Sequence, residues 1–446
     1  MRTLVYTFEE ANKGNMVFQS RAAERSKAIT LELLDEIFRD CAPRNFQVRL
    51  WDNSLWNGGS TSSPEFTIVL KKPGSLRQMF LPPTQLNLGE AYIYDDFDVE
   101  GNIKAVFALA EQIANKYTHP AEQMLIGAKM LTLPRETRKR TPKAVKGHGD
   151  LHSLTRDREA IAYHYNRPNE FYQLFLDSRM VYSCGYFHDA ADTLETAQEQ
   201  KLEYICRKLR LQPGEHLLDI GCGWGGLLMY AAERYHVHAT GVTLSESQAS
   251  YARDVIHQKG LEDYCSVLEQ DYRDIHAPKE KFDKIVSVGM FEHVGSDMLQ
   301  NYFEIAKSLL KPGGVFLNHG IARNYASPPI QDNDFISYYV FPDGELLTLS
   351  ETIKAAEASG FEVRDVENLR EHYALTLSRW VDSLESHADA ARTVTDDFTY
   401  RIWRLYMAAS LYSFQSGENN LFQILLVNSP HGMCNLPLRR SDWYVS

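Results

Sequence analysis

The chain has 446 residues, a length that suggests two domains, and its 44% hydrophobic and 24% charged residues are the balance of a globular enzyme. A net charge of −12 argues against nucleic acid as a partner, and six scattered cysteines without a CxxC pair argue against a disulfide framework or a metal cage. The opening MRTLVYTFEEANKGN lacks the basic and apolar regions of a signal peptide, and no apolar run approaches the ~20 residues that cross a bilayer, so a cytoplasmic protein is expected.

Residues 1–133 read as a small α+β accessory domain. Ala22–Cys41 is an amphipathic helix pattern with Ile29, Leu31, Leu34, Ile37 and Phe38 on one side. Phe46, Val48 and Leu50 alternate with polar residues, as do Phe66, Ile68 and Leu70, and Asn57-Gly58-Gly59-Ser60 lies between them, so a hairpin is expected. Residues 105–133 then look helical. Residues 134–150, PRETRKRTPKAVKGHGD, have linker composition. Arg135, Arg138, Lys139, Arg140, Lys143 and Lys146 are opposed there only by Glu136. The stretch is either a solvated linker or a contact for anionic phospholipid, worth about 1 kcal/mol per basic residue near a membrane surface. His148 and His152 around Asp150 resemble a metal cluster only superficially, and no metal site is expected.

From Leu151 to Ser446 the pattern is α/β, a doubly wound Rossmann-like sheet. Strands are expected at Leu217–Ile220, His238–Leu244, Cys265–Asp271, Phe282–Met290, Val315–Ile321, Phe361–Val366 and Leu421–Val427, with helices between them. Ligands bind such sheets at the carboxyl ends of the strands, where Asp219, Thr243, Asp271, Glu292 and His319 are expected. The most informative run is LLDIGCGWGG, Leu217 to Gly226: a buried strand, a glycine loop and the start of a helix. Its spacing also satisfies a dinucleotide fingerprint. Two details favour S-adenosylmethionine instead. The second strand ends without the carboxylate that a dinucleotide site places about 20 residues on, offering Thr243, Ser245 and Gln248. Asp219 also stands just before the first glycine, a placement common in methyltransferase loops.

LLDIGCGWGG, VTLS at 242–245, QDYRD at 270–274, VGMFEHVG at 288–295 and YSCGY at 182–186 together resemble the cyclopropane-fatty-acyl-phospholipid synthases, relatives of the mycolic acid cyclopropane synthases. The resemblance covers about residues 155–430. It implies that Tyr182 and Ser183 cover S-adenosylmethionine, that Asp219, Gly221, Gly223 and Gly225 approach its methionine and ribose portions, that Thr243 and Gln248 reach the ribose, and that Asp271 and Tyr272 frame the adenine. It also implies a bicarbonate ion held by Cys184, Glu292, His319, Ile321 (through its backbone) and Tyr373. One position departs from the family pattern: Ser410 stands where many members have a cysteine, which argues against covalent catalysis.

The implied reaction transfers the methyl carbon of S-adenosylmethionine to the double bond of an unsaturated phospholipid acyl chain. The resulting carbocation loses a proton from the new methyl and closes a cyclopropane ring. Aromatic faces can stabilise such a cation by roughly 2 kcal/mol when desolvated, and Tyr186, Tyr338, Tyr339 and Tyr373 are candidates. Each site residue has a plainer alternative. Glu292 could cap the helix that follows, Tyr373 and His319 could be structural, and Cys184 a small buried apolar residue. Two other readings stand beside ring formation: a methyl- or methylene-branched product, and an inactive lipid-binding protein. The expected setting is the cytoplasmic face of the membrane, by peripheral contact, with a homodimer as the candidate assembly.

Overall fold

Adjacent residues of the central strands point into two different apolar clusters, and this alternation explains why the sheet is covered on both faces. Leu217, Val286, Leu317 and Leu425 pack on one side. Leu218, Ile285, Phe316 and Ile424 pack on the other. The first cluster takes Leu202, Ile205 and Leu209 from the helix Leu194–Leu209, and Ala249, Ala252 and Ile256 from Glu246–Lys259. The second takes Tyr302, Phe303 and Ala306 from Leu299–Leu309 and Ala356 from Leu349–Ala358.

The computed structural model describes residues 21–42, 45–58, 63–116, 119–136, 153–165, 167–275, 281–327, 334–342, 344–432, 434 and 436–444. Contacts divide the chain into Met1–Pro142 and Lys143–Ser446. Most of the basic stretch, from Arg138 to Lys146, and the group His148, Asp150 and His152 lie outside the described residues.

In the first unit, β1 (Phe46–Arg49), β2 (Leu55–Trp56), β3 (Phe66–Leu70) and β4 (Phe97–Gly101) form a sheet in the order β2-β1-β3-β4. The expected hairpin between β1 and β3 is not what forms. These strands run parallel, with Val48 opposite Ile68. The hairpin instead joins β1 to β2, with Val48 opposite Trp56. Its turn is made by Asp52, which accepts from the Ser54 amide at 3.0 Å, and by Asn53 at φ 65°. The helical pattern after residue 105 is two helices, Val106–Lys116 and Pro120–Met130.

In the second unit, β5 (His216–Ile220), β6 (His238–Thr243), β7 (Cys265–Glu269), β8 (Phe282–Val288), β9 (Leu310–Arg323), β10 (Glu362–Asn368) and β11 (Asn419–Val427) form one sheet. The order is β10-β11-β9-β8-β5-β6-β7, with β11 antiparallel to both neighbours and the remaining pairs parallel. His319 is not at a strand end as expected. Pairing with β11 carries β9 on to Arg323, so His319 lies inside the strand opposite Gln423. Beside it, Gly320 leaves room for the ring of Phe291, where an added Cβ would lie 2.1 Å from a ring carbon. Gly320→Ala should therefore destabilise the fold by about 1–3 kcal/mol through overpacking, and Phe291→Leu in the same chain should recover part of that. Urea titrations of the single and double variants measure this, and an unperturbed single variant would contradict the packing.

Candidate active site

The glycine loop passes from β5 into the helix Gly226–Tyr235. Gly223, at φ 55°, has no atom within 4 Å of the place a Cβ would take, so the backbone is open to a ligand there. Asp219, Gly221, Gly223, Thr243, Gln248, Asp271 and Tyr272 line one cavity with Tyr182 and Ser183. Of the expected cofactor residues only Gly225 does not line it. It starts the helix at φ 82°. The Thr243 hydroxyl donates to Gln248 Oε1 at 2.9 Å. Asp271 is occupied by Arg273, which donates to it from Nη2 at 2.7 Å and to Asp157 at 2.8 Å.

The strap carrying YSCGY lines this cavity through Tyr182 and Ser183 and is pinned by buried hydrogen bonds. Asp177 accepts from the Val181 amide at 2.8 Å. Gln198 donates to the Ser183 carbonyl at 2.7 Å, and the Gly185 amide donates to Thr376 Oγ1 at 2.9 Å. Tyr182 packs against Trp380 and Trp403, with centroids 5.1 and 6.0 Å away.

A second cavity shares Tyr165, Tyr182, Ser183, Gly289 and His293 with the first. Cys184, Glu292, His319, Ile321 and Tyr373 all line it, and so does Ser410. The turn after β8 is tied to β9 at two points. The Gly289 amide donates to the His319 carbonyl at 2.8 Å, and the Ile321 amide donates to Glu292 Oε1 at 2.7 Å. The Ile321 amide is thus engaged with Glu292. Glu292 Oε2 and His319 Nε2 are buried without a hydrogen-bond partner. Gln423 Nε2 lies 3.1 Å from His319 Nδ1. With that amide donating, the neutral ring carries its proton on Nε2. Two unpaired buried polar atoms on one cavity fit a small oxyanion with acceptor oxygens and one O–H.

Burial sets the protonation states. It pushes the Glu292 carboxyl up to about 7, against the Ile321 hydrogen bond, and raises Asp219 to about 7, opposed by Lys201. It pulls the Lys201 ammonium down to about 8, with Asp177 opposing. His319 is held well below the usual histidine range, first by burial and then by Lys201 and Lys208. Burial keeps Tyr373 a phenol and Cys184 a thiol, so Cys184 is no thiolate nucleophile.

Of the four aromatic candidates for cation stabilisation only Tyr373 lines the second cavity. Tyr186 instead stacks on Tyr204 and His372 at 4.3 and 4.6 Å, and Tyr338 and Tyr339 line neither cavity. Tyr165, Tyr406, Phe341 and Phe414 take those places. Sequence reasoning also missed Lys201 and Gln198. A signal existed: both fall on the buried stripe of the helix Leu194–Leu209, at helical spacing from Leu202 and Ile205. Nothing in the sequence announced the Asp157–Arg273 pair, since its partners are 116 residues apart.

The family model described as mycolic acid cyclopropane synthetase matches residues 152–424, and a domain of unknown function matches residues 33–122. The chain is 39% identical to a relative from Pseudomonas putida named a probable fatty acid methyltransferase, over 89% of this chain and 96% of that one. It is 38% identical to the cyclopropane-fatty-acyl-phospholipid synthase of Escherichia coli K12, over 59% of this chain and 66% of that one. The crystal structure of the mycolic acid cyclopropane synthase CmaA1 complexed with SAH and CTAB is similar with a TM-score of 0.57 and 31% identity, covering 60% of this chain and 98% of that one.

The buried Glu292 has a thermodynamic consequence. Its pKa rises from 4.5 to about 7 on folding, so the folded state loses stability as pH climbs from 4.5 through 7 and the penalty is constant above that. Glu292→Gln should therefore gain about 3 kcal/mol over the parent between pH 4.5 and 8. Parallel denaturation curves at the two pH values would show that the carboxyl ionises freely in the folded protein.

Proposed function

We propose that this chain, which belongs to the mycolic acid cyclopropane synthetase family, forms cyclopropane rings on unsaturated acyl chains of phospholipids. The chain is an S-adenosylmethionine-dependent methyltransferase acting on lipids. The observation that carries the finer reading is the pair of unpartnered atoms on the second cavity, Glu292 Oε2 and His319 Nε2. They suit bicarbonate, which supplies a base beside the acyl chain when bound. His319 Nε2–H and the Tyr373 hydroxyl would donate to its oxygens, and Glu292 Oε2 would accept from its O–H. Ile321 acts through Glu292, which its amide holds in place.

The remaining residues give the setting. Asp219, Gly221, Gly223, Thr243, Gln248, Asp271 and Tyr272 face the cofactor, which supplies an electrophilic methyl on a sulfonium. Tyr165, Tyr182, Tyr373 and Tyr406 present aromatic surface to the second cavity and exclude water from a developing cation. Cys184 and Ser410 supply no nucleophile, and none is required. A second reading, a methyl- or methylene-branched product, is favoured by the Pseudomonas putida relative's name, fatty acid methyltransferase. The two differ in whether the new methyl is deprotonated to close a ring.

We also propose peripheral contact with anionic membrane. No helix among the described residues is long and apolar enough to cross one. On the helix Pro120–Met130 and just beyond it, Met124, Leu125 and Leu131 are 76%, 62% and 59% exposed, shortly before the basic stretch that starts at Arg135. Binding to anionic vesicles should weaken as salt rises, because surface attraction is screened within a Debye length. Salt-insensitive binding, equal on zwitterionic vesicles, would reduce the stretch to a linker.

Mass spectrometry and NMR of lipids from a host expressing the chain test the reaction. Acyl chains should gain one CH2, lose the alkene and show ring protons, whereas methyl-branch or exomethylene signals alone would establish the second reading. Glu292→Gln and Tyr373→Phe should lower turnover about 10²–10⁴-fold with a much smaller change in cofactor affinity. Depleting bicarbonate should slow the parent more than the variants. Near-parent turnover in both, with indifference to bicarbonate, would place the base elsewhere.

A further inference from the structure

The charges on the first cavity do not cancel in place. Asp271 and Asp157 are both ion-paired to Arg273. Lys201 and Asp219, which line the same cavity, have no such arrangement. Lys201 is 1% exposed, and among the described residues its ammonium makes one hydrogen bond, to Ser183 Oγ at 3.0 Å. Asp177 and Asp219 act on it through space, without a hydrogen bond to its ammonium among the described residues. An ammonium has three N–H donors, so two are left for another group. Burying a charge with so little compensation is costly unless a ligand completes it. Asp219 poses the same problem with the opposite sign: it is 3% exposed, and burial drives its carboxyl up.

A ligand that answers both must carry an anionic and a cationic group on one short framework. The amino-acid end of S-adenosylmethionine does so, and its α-carboxylate is the cofactor's one anionic group. Resting on the reading that this cavity holds that cofactor, we propose that Lys201, with the Ser183 hydroxyl, binds the α-carboxylate while Asp219 faces the α-ammonium group. The strap fits this role. Gln198, one turn before Lys201 on the same helix, holds the Ser183 carbonyl at 2.7 Å, so a single helix places the lysine and the serine together. Fixing the methionine end in this way sets the direction of the sulfonium methyl toward the second cavity, which Ser183 also lines.

Calorimetry with two ligands tests the assignment on the full chain. The first is S-adenosylhomocysteine, and the second is its decarboxylated analogue, which keeps the amine and the nucleoside. The parent should prefer the first at least tenfold. Lys201→Met should lose at least tenfold in affinity for S-adenosylhomocysteine while its affinity for the analogue changes less than threefold. Ser183→Ala should show the same selective loss at smaller size, and it decides the matter if Lys201→Met does not fold. Equal binding of the two ligands by the parent, or equal weakening of both in the variants, would overturn the carboxylate role and leave Lys201 a support of the strap. Failure of the parent to bind S-adenosylhomocysteine at all would instead count against the cofactor reading itself.

Discussion

The hydrogen bond from the Ile321 amide to Glu292 is the interaction on which both cavities depend. It and the Gly289–His319 bond hold the turn after β8 against β9, and that turn supplies Gly289 and His293 to the wall the cavities share. The Phe291 ring fills the space over Gly320 between the two tie points. A carboxylate satisfied at one oxygen and bare at the other is a poor way to stabilise a fold, since an unpaired buried acceptor costs about 1–3 kcal/mol. It is a good way to present one oxygen to a ligand in fixed geometry. Stability and the proposed role therefore pull in opposite directions at Glu292.

The same tension recurs on the strap. Met180 adopts φ 56°, a conformation that a side chain resists, at the point where the chain turns toward Tyr182. Asp177, Gln198 and Thr376 fasten the backbone on either side. Tyr182, partly buried, then packs its ring against Trp380, Trp403 and His164, with centroids 5.1, 6.0 and 5.9 Å away. Tyr182 and Ser183, held this way, line both cavities and form part of the wall between them.

Much of this was legible in the sequence because it is local. Leu217 to Gly226 spells strand, turn and helix within ten residues, and the alternating order of strands and helices after Leu151 implied a sheet covered on both faces, where Leu217 and Leu218 now pack in opposite clusters. The first unit was less legible. Alternation identified β1 and β3 as strands but carried nothing about direction, and the turn signal that formed the hairpin lay at Asp52 and Asn53, not at Asn57 to Ser60. His319 was misplaced for a similar reason: its position in β9 is set by β11, about a hundred residues later. Lys201 was hidden because a lysine in a helix reads as solvent-facing by default. Only its place on the apolar stripe spoke otherwise.

The chemistry of the second cavity follows from what burial does to its lining. Tyr165, Tyr182 and Tyr373 are pushed far above the ordinary phenol range and Tyr406 to about 12, so all stay protonated at neutral pH. They can offer ring faces to a cation and hydroxyls to an anion, and they cannot take up a proton. Cys184 is likewise fixed as a thiol, and His319 as a neutral, weakly basic ring. Glu292 behaves differently, because the Ile321 amide offsets part of the burial and leaves its carboxyl near 7. Glu292 is thus the one group on this wall whose carboxyl sits near neutrality, and its Oε2 is buried without a hydrogen-bond partner.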